Sequence, residues 1–84
     1  MKLIFVPSAV KALRKMPRKD ADALRAKLAT MSAAPFSTYP WAKRLTSSAY
    51  YRVRQSDWRA VYRIDREAGL VEVIKIGSRR EIYE

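Results

Sequence analysis

The sequence predicts an α+β domain in which a pair of helices covers one face of an antiparallel sheet. Three observations carry this reading, of which the first two are that apolar residues recur with helical period before Pro35 and with a period of two from Ala49 onward, and that turn-forming residues fall between these blocks. The third is the length of 84 residues, which allows a single domain spanning 1–84 with one small core and no second lobe.

Each element follows in order. Lys2 to Val6 is a short β-rich run, and Pro7-Ser8 supplies a turn and a candidate N-cap. Ala9, Ala12, Leu13 and Met16 then form an apolar stripe, with Lys11, Arg14 and Lys15 outside it, and Pro17 ends that helix. Ala21, Leu24, Leu28 and Met31 make a second stripe, with Asp20 and Asp22 near its start where the helix dipole favours negative charge, and Pro35 closes it. The tight Met16-Pro17-Arg18 corner predicts two antiparallel helices. Residues 35–47 have a loop composition, although Phe36, Tyr39 and Trp41 predict that the loop packs down on the domain. Ala49 to Gln55, Asp57 to Asp65 and Leu70 to Gly77 read as a three-stranded antiparallel meander with short turns between them. The expected order is β-α-α-β-β-β, with the helices packed on one face of the sheet.

Composition removes several kinds of chemistry. There is no Cys and no His, so disulfides, thiolate catalysis, the usual zinc sites and His-paired nucleophiles are excluded. Any reaction must run on Arg, Lys, Tyr, Asp or Glu. No metal-ligand cluster or glycine-rich loop is present, so neither a metal nor a nucleotide cofactor is expected. The apolar start Leu3-Ile4-Phe5-Val6 is short and stopped by Pro7, and no later run reaches the roughly 20 residues that span a bilayer; a cytoplasmic protein with no membrane partner is expected. With 18 Lys and Arg against 8 Asp and Glu, the net charge of +10 suggests a polyanionic partner. The plainer alternative is a basic surface that only keeps the protein in solution.

Strand alternation sorts the charges of the second half. Tyr51 and Val53 share one face and Arg52 and Arg54 the other, while Trp58, Ala60, Tyr62 and Ile64 oppose Arg59, Val61 and Arg63. If helices cover the aromatic and aliphatic side, four arginines fall on the exposed face of a hairpin. Like charges on adjacent strands repel, and the guanidinium fork suits bidentate phosphate binding, so an anionic ligand is the favoured explanation. The alternative is a solvated face salt-bridged by Asp57, Asp65, Glu67 and Glu72. Trp58 and Tyr62 are expected in the core. Gly77 is read as a sharp turn at a strand end that brings Arg79, Arg80 and Tyr83 to the arginine face. Lys43-Arg44 is either a phosphate-positioning pair or plain surface.

The segments Tyr51-Arg52-Val53-Arg54, Asp57-Trp58-Arg59-Ala60-Val61-Tyr62-Arg63-Ile64 and Val73-Ile74-Lys75-Ile76-Gly77-Ser78-Arg79-Arg80-Glu81-Ile82-Tyr83 together resemble the RelE branch of the RelE/ParE toxins of type II toxin–antitoxin modules. Ala42-Lys43-Arg44-Leu45 and the helix pair fit the same family. The resemblance implies a metal-independent endoribonuclease that enters the ribosomal A site and cleaves mRNA by attack of a ribose 2′-hydroxyl on the adjacent phosphate. It also implies a cognate antitoxin, expected to be acidic. The family's site residues match Arg52, Arg54, Arg59, Arg79 with Arg80 beside it, and Tyr83. Lys43, Arg44, Arg63 and Arg80 are the further candidates for holding RNA.

One departure bears on mechanism. The family's pair on the first hairpin strand is commonly lysine, whereas here it is Arg52 and Arg54. Arginine holds a phosphate well but is a poor proton acceptor. The general base is then Tyr83, whose anionic form neighbouring arginines would favour, or Glu81, which can instead pair with Arg79 or Arg80. Two other functions fit the sequence: a ParE-type inhibitor of DNA gyrase, and a small basic RNA-binding protein without activity.

Overall fold

The opening apolar run forms a strand, β1 (Lys2–Phe5), and Pro7 begins the first helix, α1 (Pro7–Lys15), in the computed structural model. Residues 1–46 and 48–82 are described in full and Tyr83 through its backbone alone; Ser47, the Tyr83 side chain and Glu84 lie outside the described residues. Pro7 occupies the first helical turn, where its missing N–H costs nothing and its fixed φ suits the helix. The N-cap is therefore Val6 and not Ser8, and no side chain caps this end. Met16 precedes a proline and is extended, with φ −70° and ψ 152°, which stops α1 one residue after Lys15. The second helix, α2 (Arg18–Ala33), starts directly after Pro17 with Asp20 in its first turn.

Both predicted stripes are core. Ala9, Leu13, Met16, Ala21, Leu24, Leu28 and Met31 pack against Val53, Ala60, Tyr62, Val71, Val73 and Ile76 of the sheet, while Ala12 is half-buried at the margin. Trp58 packs partly buried against the same cluster.

The sheet is wider than the meander. It holds β1, β2 (Ala42–Arg44), β3 (Tyr51–Gln55), β4 (Trp58–Asp65) and β5 (Leu70–Ser78) in the order β1-β5-β4-β3-β2. The strands β3, β4 and β5 are antiparallel neighbours as predicted, and β1 joins parallel to β5. Residues 35–47, read as loop, contain β2, which pairs antiparallel with β3. A three-residue strand carries no readable period; it forms because the outer side of β3 offers backbone groups that need partners. The rest of that segment docks through aromatics. The Tyr39 hydroxyl donates to the Ala34 carbonyl at 2.8 Å, and its ring stacks on Trp41 at 4.6 Å. Phe36 does not pack down: it is 54% exposed, with the Arg66 guanidinium 4.3 Å from its ring centre.

Two features set which side chains reach the open side of the sheet. The β3–β4 turn has only Ser56 and Asp57, and Ser56 adopts φ 52°, a left-handed conformation that costs a non-glycine residue energy. A bulge opposite Val61 and Tyr62 then leaves Ile74 as an extra residue on β5. Strict alternation from Val71 and Val73 would send Lys75 into the core; the bulge resets the phase, so Ile76 is buried and Lys75 faces out.

Candidate functional site

The helices cover one face of the sheet, and the other carries the cations. Across β2 and β3, Lys43 stands opposite Arg52; across β3 and β4, Arg52 faces Val61 and Arg54 faces Arg59; across β4 and β5, Arg59 faces Gly77, Val61 faces Lys75 and Arg63 faces Glu72. The Arg54–Arg59 pair sets two like charges directly opposite each other, an arrangement that costs stability.

Arg59 differs from the exposed residue the sequence suggests. It is only 6% exposed, folded back on the β3–β4 turn, where its Nη1 donates to the Ser56 carbonyl at 2.8 Å and the Trp58 carbonyl at 3.0 Å. Its Nε is buried with no hydrogen-bond partner among the described residues. Among the described residues no carboxylate pairs with it, and desolvating a cation without the Coulomb gain of an anionic partner is costly. The strained Ser56 carbonyl is one of the groups that holds it, so turn geometry and cation placement are coupled.

Arg54 is anchored through its backbone. Its N–H donates to the Trp41 carbonyl at 2.8 Å, and its carbonyl accepts from Lys27 Nζ of α2 at 2.9 Å. Lys27 also lies 5.8 Å from the centre of the Trp41 ring. Burial, and then the charge of Arg54, lowers the Lys27 pKa. This lysine ties the helix layer to the arginine strand, and its sequence position on α2 gave no hint of that reach.

The last element, α3 (Arg79–Tyr83), packs against β5 and β4. Gly77 does not turn the chain: it pairs with Arg59 inside β5. A Cβ at residue 77 would come 3.2 Å from the Glu81 Cβ, a tight contact that would require α3 to give by a few tenths of an ångström. Glu81 pairs with neither Arg79 nor Arg80. Its Oε1 accepts from the Ser78 N–H at 3.3 Å and from the Ser78 hydroxyl at 3.0 Å, and the Ser78 hydroxyl oxygen accepts from the Glu81 N–H at 3.4 Å. This is a capping box, legible beforehand as Ser-x-x-Glu at residues 78–81. The Arg79 N–H donates to the Asp57 carbonyl at 2.6 Å, which brings the start of α3 to the β3–β4 turn. Asp57, Ser78, Arg79 and Arg80 line an open cleft of about 570 Å³ there.

The predicted residues thus divide. Lys43, Arg52, Arg54 and Arg59 share the open face, with Arg79 and Arg80 across the turn. Arg44 pairs with Tyr51 on the helix-facing side at the sheet edge, and its Nε donates to the Ser48 carbonyl at 2.9 Å. Arg63 is on the open face but held by acids: its Nε donates to Glu72 Oε1 at 2.6 Å, and Asp65 lies at 3.6 Å. The Glu72 carboxylate, with Asp65 adding to it, raises the Arg63 pKa. The Tyr83 side chain lies outside the described residues. Sequence reasoning missed Lys75, which faces out from β5 next to the arginines; a lysine at a core phase was the available sign of a bulge.

Other groups fit the chemistry less well. Burial pushes the Tyr62 hydroxyl up to about 12, with Tyr51 and Tyr39 adding to the shift, which is the wrong direction for a proton acceptor. Among the described residues, no group of three or more carboxylates, Cys or His is placed to hold a metal ion. No helix among the described residues is long and apolar enough to cross a membrane. The face can bind a phosphodiester through several guanidinium groups and neutralise charge that develops on its oxygens.

Comparison with known proteins agrees with the fold. Residues 3–83 match the family described as the ParE toxin of type II toxin–antitoxin systems, parDE. No curated protein sequence matches. Among solved structures, the isolated E. coli RelE toxin is similar at 28% identity, covering 98% of this chain and 89% of that one, with a TM-score of 0.78. A chain of the intact E. coli RelBE toxin–antitoxin complex is 28% identical, covering 92% of this chain and 94% of that one, with a TM-score of 0.76. A chain of the archaeal RelE–RelB complex from Pyrococcus horikoshii OT3 shares the fold at 18% identity, covering 93% of each chain, with a TM-score of 0.79.

Proposed function

This chain belongs to the RelE/ParE superfamily of toxins from type II toxin–antitoxin systems, and we propose that it is a ribosome-dependent, metal-independent endoribonuclease that cleaves mRNA in the A site. The observation that supports this reading best is Arg59: a residue only 6% exposed, directly across from Arg54 and with Nε lacking a partner among the described residues. A cation held at that cost is explained by an anion that arrives later, and a phosphodiester is the anion its fork fits.

In the proposed reaction the ribose 2′-oxygen bonds to phosphorus while the bond from phosphorus to the 5′-oxygen breaks. The products are a 2′,3′-cyclic phosphate and a 5′-hydroxyl. Arg52, Arg54 and Arg59 bind the phosphate and neutralise its growing charge, and Arg79 and Arg80 hold the strand beyond the turn. Lys43 and Lys75 extend the same cationic face. Glu81 is engaged in the capping box, so the proton of the 2′-hydroxyl is assigned to the Tyr83 phenolate, which becomes the phenol and then gives that proton to the leaving 5′-oxygen. The ribosome supplies the alignment of the codon. An acidic cognate antitoxin silences the toxin in the cytoplasm until it is lost.

Gyrase inhibition is the second reading, favoured by the family description, which names the ParE toxin. It gives no role to a phosphate-binding arginine pair. The separating experiment incubates purified chain with programmed ribosomes and, separately, with gyrase and supercoiled DNA. Cut mRNA with unaffected gyrase supports the first reading; gyrase inhibition with intact mRNA supports the second.

A further inference from the structure

The molecule carries a second basic surface, separated from the arginine face by the helix layer and the sheet. Lys11, Arg14 and Lys15 of α1 and Arg18, Lys19 and Arg25 of α2 are all exposed, against Asp20 and Asp22 on the same stretch. Arg14, Arg18 and Arg25 line a groove of about 350 Å³ at the α1–α2 corner. Asp22 is the acid within reach there, 3.8 Å from Arg18 and 3.6 Å from Arg25. Such exposed pairs are weak, so a phosphate can replace Asp22 at either arginine.

The chemistry of the groove selects its partner. Its apolar lining, Leu13, Met16 and Ala21, is already buried in the core, leaving little apolar surface to anchor a protein. Protein interfaces rely on an apolar centre, whereas nucleic-acid interfaces are polar and strongly basic. The molecule measures 33 × 25 × 24 Å, so one short strand lying on the sheet face does not also reach the helix layer. We propose that the Arg14–Arg18–Arg25 surface of the helical hairpin docks on the phosphate backbone of a second, structured RNA segment. It thereby holds the toxin in place while the sheet face takes the strand to be cut. The inference rests on the RNA-directed reading above for its setting, and its test does not depend on cleavage.

The test is the affinity of the full chain for a short, fully 2′-O-methylated RNA duplex, which cannot be cut, measured as a function of salt. The triple variant Arg14→Gln/Arg18→Gln/Arg25→Gln should flatten the plot of log K against log[salt] by about 2, at roughly 0.7–0.9 per phosphate contact. Arg66→Gln, which removes an exposed charge on the β4–β5 turn outside both basic surfaces, should leave it unchanged. The triple Arg→Lys variant should restore the slope, since the contact needs charge and not the guanidinium shape. All three positions are exposed, so the melting temperature should hold and separate lost binding from lost folding. An unchanged slope in the Gln variant would overturn the proposal. So would duplex binding that survives while capture of the acidic antitoxin is lost, which would make the surface a protein site. Ribosomes left uncut by a chain that still shows the predicted slopes would count against the endoribonuclease reading and not against this one.

Discussion

Arg54 and Arg59 stand opposite each other on adjacent strands, and that juxtaposition has opposite consequences for stability and for catalysis. Replacing Arg54 with Gln should stabilise the fold by about 0.2–1 kcal/mol in a denaturant melt, because like charges across a ladder repel. The same variant should bind and cut RNA less well. Arg59→Ala should slow cleavage by about 10²–10³, the cost of removing one preorganised charge stabiliser, measured under single turnover on programmed ribosomes. A lysine at 59 should not rescue it, since one ammonium cannot reproduce the planar fork that also satisfies the Ser56 and Trp58 carbonyls. Tyr62 supplies a pH test. Its folded-state value of about 12 lies above that of an unfolded tyrosine. The stability it contributes is therefore complete below pH ~10 and is lost as the pH rises through about 12. Tyr62→Phe should remove that alkaline decline in stability. At this scale the parity of β3 and β4 was enough to place the arginines on one face. It could not show that Arg59 is buried or that Arg63 is held by Glu72, because both depend on partners from another strand or turn.

Short elements hold the site together. Ser78 and Glu81 close α3 at its start, and Ser78→Ala should weaken that end by about 0.5–2 kcal/mol. Because α3 is only five residues long and packs mainly on β5 and β4, the loss should appear as faster hydrogen exchange at residues 79–82 with little change in global stability. The β3–β4 turn makes the opposite prediction. Ser56 at φ 52° is relieved by glycine, whereas Ser56→Val should destabilise by about 1–2 kcal/mol and loosen Arg59 through the carbonyl it uses. Elements with a long apolar period, α1, α2, β4 and β5, were legible because burial repeats along them. The strand β2 and the bulge at Ile74 were not: one is too short to show a period, and the other is a single-residue shift that only cross-strand pairing reveals.

The whole molecule is closed by β1, which pairs parallel with β5 from the far end of the chain. Strand order beyond the meander was not readable because no local pattern states which neighbour a distant strand will choose. The core is one layer of helix side chains against one sheet, with Leu24, Leu28, Met31, Val53, Val71 and Val73 fully buried. Leu28→Ala should cost about 2–5 kcal/mol, a large fraction of what a domain this small has. The same economy explains the two basic surfaces: the helices cover one side of the sheet, and the cations collect on the helices' outer side and on the sheet's open side. The most direct measurement is 5′-end mapping of an mRNA on programmed ribosomes incubated with the chain, beside free mRNA and the Arg59→Ala variant. The expected result is new 5′-hydroxyl ends within the A-site codon, present only with ribosomes and lost in the variant. Intact mRNA from a chain that still arrests growth would contradict the endoribonuclease reading and point to gyrase.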